Sequence, residues 1–131
     1  MTGVRLFRVV VPVSDIHGGV AFYRQVLGVD SEEVGPGRHY LHCGATILVC
    51  LDPHLEGHED MPRGPNRGHL YFEVDDLDGC FERASAAACL WLEPAPRRRA
   101  WGERSFYARD PFDNPLCFVE ATTRYTGAAN P

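Results

Sequence analysis

The stretch WGERSFYARDPFDNPLCFVE, residues 101–120, decides how this chain is read. It parses as strand, tight turn, strand. Residues 105–109 carry Phe106 and Tyr107, which suit a pleated surface. Asp110-Pro111-Phe112-Asp113-Asn114-Pro115 is a turn cluster. Pro111 presets φ at its second position, and Asp and Asn tolerate the left-handed region. Residues 116–119 then form a short apolar run, most simply a buried strand. On turn chemistry alone this is an ordinary hairpin. Its context gives it weight, because a strand–helix unit precedes it and a weaker copy of that unit opens the chain.

Working outward, residues 67–74 alternate. Leu70, Phe72 and Val74 form an apolar face, and His69, Tyr71 and Glu73 a polar one. Asp75 or Asp76 can cap the next helix, where Leu77, Phe81, Ala84 and Ala88 follow helical spacing. Residues 89–93 read as a strand and residues 94–101 as a loop rich in Pro and Arg. The hairpin completes a βαβββ module, with Phe106 and Tyr107 assigned to the core.

The first half runs in parallel. Residues 4–13 read as a strand with Phe7, Val9, Val11 and Val13 on one face and Arg8, Val10 and Pro12 on the other. Ser14 or Asp15 can cap a helix whose core stripe is Ile16, Val20, Tyr23 and Leu27, and Gly28 suits a left-handed cap. Gly18 and Gly19 weaken its first turn. Residues 31–34, 38–43 and 45–51 read as three further strands. In the last of them Ile47, Val49 and Leu51 are assigned to the core face, and Thr46, Leu48 and Cys50 to the other. The halves repeat: Val13-Ser14-Asp15-Ile16 aligns with Val74-Asp75-Asp76-Leu77. That register places Arg8 opposite His69, and the hairpin pattern places Leu48 opposite Cys117.

Between the modules, DPHLEGHEDMPRGPNR shifts to Pro, Gly, His and charge and reads as a linker broken by Pro53, Gly57 and Pro62. His54 and His58 are four apart, but a broken loop gives that spacing no fixed geometry, so they read as solvated. The organisation is one domain over residues 1–131: module one at about 4–52, linker 53–66, module two at about 67–120 and tail 121–131.

Composition narrows the function classes. With 131 residues the chain is one domain's worth and can bury a real core. The net charge is −5 and the arginines are scattered, which argues against nucleic acid. No apolar run is long enough to span a membrane. The opening residues lack a small-residue cleavage site, so the expected location is cytoplasmic. Every basic residue is Arg, which excludes a lysine Schiff base or a lysine-containing phosphate loop. The 5 cysteines are irregularly spaced and read as small core residues in a reducing compartment.

Three pieces, DIHGGVAFYRQVLGV, GHLYFEVDDLD and RDPFDNPLCFVE, in that order and at that separation, resemble the vicinal oxygen chelate superfamily. This is the family of glyoxalase I, extradiol dioxygenases and bleomycin-resistance proteins. One departure is visible: the family turn usually reads Asp-Pro-x-Gly-Asn, and here Asp113 stands at the Gly position. A positive φ there would cost a non-Gly residue about 1 kcal/mol. The resemblance implies an α+β fold in which two βαβββ modules form a partly closed, mixed-sheet cleft with a small molecule in it. It also implies a homodimer.

In metal-using relatives four positions supply the ligands, typically His, Glu or Gln. They map here onto Arg8, Leu48, His69 and Cys117, and only His69 fits. Cys117 could hold a soft metal as thiolate; Arg8 and Leu48 offer nothing. The expectation is therefore a small-molecule binding protein without a metal cofactor. If a metal is present, it is a divalent ion at His69. The alternative is a lyase, isomerase or dioxygenase of the same superfamily with an altered ligand set. The catalytic candidates are His69 and Glu73. The ligand-binding candidates are Arg8, His69, Tyr71, Trp101, Arg104 and Cys117.

Overall fold

Regular structure begins at β1 (Arg8–Pro12), later than the apolar pattern suggests. Its partner β4 (Thr46–Leu51) sets the limit, since the parallel ladder starts at Arg8 opposite Ile47. Before it, the Phe7 and Leu6 carbonyls are taken up by Ile47 N–H and the Thr46 hydroxyl. The computed structural model describes residues 3–61 and 64–127. Pro62 of the linker and residues 128–131 of the tail lie outside them. The chain divides into two compact units, Met1–Asn66 and Arg67–Pro131.

In the first unit α1 (Ile16–Leu27) buries Ile16, Val20 and Tyr23, the predicted stripe, together with Phe22 and Val26. Gly28 ends it at φ 69°, its N–H donating to the Arg24 carbonyl at 2.9 Å. Asp15 takes the N-cap position without a side-chain hydrogen bond. Then come β2 (Ser31–Gly35) and β3 (Arg38–Cys43). The sheet order is β1-β4-β3-β2, with β1 parallel to β4 and the rest antiparallel. Part of the linker is ordered too. A 3-10 turn at Pro53–Glu56 is capped by Asp52, and Glu56 reaches back to Gly37 N–H and Arg38 Nε.

The face assignment of β4 is corrected by the register. Val9 pairs with Leu48 and Val11 with Cys50, whereas Arg8, Val10 and Pro12 pair with Ile47, Val49 and Leu51. A Cβ added at Gly19 of α1 would sit 2.9 Å from Val13 Cγ1 and 3.0 Å from Cys50 Sγ. Leu48 and Cys50 therefore face the helix, and Leu48 is not on the face of Arg8. The sequence misled because Leu48 to Leu51 are all buried. An unbroken apolar run carries no polar phase, and a shift of one residue flips every side chain.

The same contact explains Gly19, which lets α1 approach the sheet closely. Gly19→Ala is expected to destabilise the unit by about 1 kcal/mol. Overpacking against the fully buried, β-branched Val13 costs about 1–3 kcal/mol, and the gain in helix propensity returns up to about 1. Urea unfolding checks this; a stabilised variant would contradict it.

The second unit contains β5 (Leu70–Val74), α2 (Leu77–Ala86), β6 (Trp91–Leu92), β7 (Arg97–Arg98), β8 (Arg104–Arg109) and β9 (Pro115–Glu120). The sheet order is β5-β9-β8-β6, with β7 also on β8; β5 and β9 are parallel. The predicted Pro- and Arg-rich loop thus contains a short strand, and the strand predicted at 89–93 shrinks to two residues. Asp76 is the cap, accepting from Gly79 N–H at 3.0 Å. Phe72 stacks on Phe118, Phe118 on Phe106, and Phe81 of α2 meets Phe106 edge-on. These rings fill the helix side of the sheet. The architecture is α+β: two mixed, open sheets and two α-helices among the described residues.

Candidate functional site

With α2 and the phenylalanines on one face, alternation sends His69, Tyr71, Glu73, Tyr107, Arg109 and Cys117 to the other. Tyr71 and Tyr107 both pair with Cys117. Across the other edge of β8, Trp91 pairs with Arg109, so the indole shares this face. His69, Trp91, Tyr107, Ala108 and Arg109 line a recess of about 410 Å³. The His69 and Tyr107 rings meet edge-on with centroids 5.2 Å apart, and Tyr71 lies 6.0 Å from His69. Trp91 is 49% exposed and Tyr71 67%, so much aromatic surface faces outward here.

A polar turn fixes one side of the recess. Asp110 is fully buried. Its Oδ1 accepts from Phe112 N–H and Asn114 N–H, and its Oδ2 from Asn114 Nδ2, each at 2.8 Å. Asp113, at the position where Gly is usual, has φ 69°. Its carbonyl and carboxylate both accept from Arg109 Nη1, at 3.2 and 3.0 Å.

A buried ion pair supports the floor. Arg99 donates to both Glu93 oxygens, at 3.1 and 2.5 Å, and also to the Ser105 hydroxyl and carbonyl. Glu93 also accepts from Tyr107 N–H, and the guanidinium lies 4.8 Å from the Tyr107 ring centre. Burial pushes the Glu93 carboxyl up, but Arg99, the Tyr107 N–H and the charge of Arg97 outweigh it, so its pKa is held below the ordinary value. Burial, with the neighbouring Cys117 and Tyr71, raises the Tyr107 phenol.

The candidates from sequence are only partly brought together. His69 lines the recess, and Tyr71 lies beside it. Glu73 is further along β5 and forms an ion pair with Arg124. Cys117 is 2% exposed, and burial raises its thiol pKa despite Ser105, Tyr107 and Arg99. A buried, protonated thiol is a poor metal ligand. Trp101 is exposed in the loop after β7, its indole N–H on Glu103. Arg104 points to the helix side, held by Asp78 and Glu120. Arg8 is in the first unit, where it donates to the Tyr40 hydroxyl at 2.9 Å. Trp91, Ala108 and Arg109 are lining residues that sequence reasoning missed, and Tyr107 is one that it gave to the core. Alternation from Tyr107 to Arg109 along β8 carried a signal for Arg109; Trp91 needed the register of β6.

The strand register fixes the four family ligand positions. Val10 pairs with Val49 as Tyr71 pairs with Cys117, so the repeat equates Cys117 with Val49, not Leu48. The set becomes Arg8, Val49, His69 and Cys117. A cation and an aliphatic side chain stand where donors are needed, so these residues do not fit a divalent ion. Among the described residues no three His, Cys, Asp or Glu side chains converge to hold a metal. No described helix is long and apolar enough to cross a membrane.

Two strand–helix–strand units, each an open mixed sheet with one helix on one side, define the class of fold. The profile of the Glyoxalase/Bleomycin resistance protein/Dioxygenase superfamily matches residues 5–118, and the chain belongs to that superfamily. It is 38% identical over 73 residues, 52% of its length, to CFP32 of Mycobacterium tuberculosis, provisionally named a glyoxylase; the match spans 26% of that protein. Among solved structures it is similar to an integron cassette protein from the mobile metagenome of V. cholerae, at 28% identity and TM-score 0.67, covering 92% of this chain and 98% of that one. It also resembles a lactoylglutathione lyase from Agrobacterium tumefaciens, at 24% identity and TM-score 0.69, covering 92% and 96%. A glyoxalase-related enzyme from Fulvimarina pelagi gives TM-score 0.77 at 17% identity, covering 95% and 93%. At these identities the last two show the fold alone.

Proposed function

We propose that this protein binds a small organic molecule, without a metal, in the recess lined by His69, Trp91, Tyr107 and Arg109. The observation that carries the reading is the recess itself: outward-facing aromatic rings with an imidazole and a guanidinium among them. Small-molecule sites have this make-up, mostly apolar with a few convergent polar groups, and its volume lies within the usual range of roughly 300–1,000 Å³. His69 is the group best placed to donate or accept a hydrogen bond. The misfit of Arg8 and Val49 to the family's ligand positions supports metal independence.

Two measurements test this. Elemental analysis of protein purified without chelators is expected to find no stoichiometric Zn, Fe, Mn or Ni. One metal per chain, lost on His69→Ala, would overturn the metal-free reading and favour a metal-dependent lyase, isomerase or dioxygenase. The chain has 2 tryptophans, so its indole N–H signals in a ¹⁵N-labelled sample are readily assigned. Aromatic compounds that bind are expected to move the Trp91 signal and to lose affinity on His69→Ala. Binding that leaves Trp91 unmoved would place the ligand elsewhere.

A further inference from the structure

We propose that the ligand is a planar aromatic carboxylate, its ring against Trp91 and its carboxylate on the free edge of Arg109, with Asp113 as the positioning residue. The inference rests on the recess being the binding site. A guanidinium has five N–H donors. Both of those on Arg109 Nη1 point to Asp113, one to its carbonyl and one to its carboxylate. That leaves Nε and Nη2, which present two parallel N–H groups along one edge of the plane. This edge matches the two oxygens of a carboxylate. Among the described residues no hydrogen bond or ion pair takes up this edge. Because Asp113 holds Nη1, the guanidinium is oriented before a ligand arrives, and less rotamer freedom is lost on binding.

Trp91 is the cross-strand partner of Arg109. Directly opposed side chains have Cβ atoms about 4.5–5.5 Å apart. A flat ring on the indole therefore brings a carboxylate attached to it within reach of the guanidinium. The guanidinium also argues against a cationic guest for these rings, since a second positive charge would be repelled.

Asp113 gains a reason on this account. It stands in a left-handed conformation that glycine would adopt without strain, and its carboxylate is used on Arg109. Glycine there would keep the carbonyl contact and lose the carboxylate one.

The test compares 2-naphthoate with its uncharged analogue 2-naphthamide, each titrated against the Trp91 indole signal. Naphthoate is expected to bind about tenfold more tightly, the worth of a charge-assisted pair. Arg109→Gln should remove that preference, so that naphthoate binds no more tightly than naphthamide. Asp113→Gly should reduce the preference while the melting temperature stays the same or rises. If both compounds move Trp91 with equal affinity, or the preference survives Arg109→Gln, the carboxylate assignment is overturned and the recess remains the site. If neither compound moves Trp91, the recess reading falls and this inference with it. A preference undiminished in Asp113→Gly removes the positioning role.

Discussion

Asp110→Ala is expected to lower stability by at least about 3 kcal/mol, because hydrogen bonds to a charged group are worth about 1.5–3 kcal/mol each. Three donors lose their acceptor at once: Phe112 N–H, Asn114 N–H and the Asn114 amide. Asn114 is fully buried, so water cannot readily replace the carboxylate. A domain of this size has about 5–15 kcal/mol to lose. Asp110→Asn should fall between, since its oxygen can serve the two backbone donors while its NH₂ faces that of Asn114. Urea denaturation with an unchanged m-value is the measurement. A loss below about 1 kcal/mol in Asp110→Ala would mean that the turn is held by other contacts.

Glu93→Ala should cost about as much, roughly 3–5 kcal/mol, because it strands a buried guanidinium. Both side chains are largely buried, at 11% exposure for Glu93 and 13% for Arg99. The diagnostic is the double variant Glu93→Ala with Arg99→Met, which removes both charges and should recover much of the loss. Equal destabilisation by the single and double variants would contradict the pairing. The pair also carries a pH signature. Glu93 has a folded pKa below its ordinary value, since Arg99 and the Tyr107 N–H outweigh the burial that would raise it. Its contribution is therefore complete above the ordinary carboxylate pKa and is lost as pH falls through the folded value. Glu93→Gln should flatten that part of the acid limb of the stability profile. Because Arg99 also lies over Tyr107, loss of the pair should weaken binding in the recess as well.

Much of the fold was legible because it is written locally. The left-handed cap at Gly28 and the positive φ at Asp113 follow from one residue's backbone preference, and the cap at Asp76 from one side chain's hydrogen bond. The alternation of β5 was legible because one of its faces is polar and the other apolar. β4 was not, because its central run is apolar throughout and both of its faces are buried. The same limit moved the second family position from Leu48 to Val49, although neither side chain can hold a metal.

The site divides along the same line. By itself the sequence determined the repeat of strand, helix and hairpin, the resemblance carried by its three motifs, and His69, Tyr71 and Cys117 as residues of one face. Only the tertiary structure decided which of them meet. Trp91 comes from a two-residue strand too short to show periodicity, and it reaches Arg109 only through pairing with β8. Arg104 and Arg109 look alike in sequence. They part because β8 alternates, sending Arg104 to Asp78 of α2 and Arg109 to the open recess. Local preference fixes elements, but which side chains converge depends on strand register, and register is set by non-local pairing that no short stretch of sequence contains.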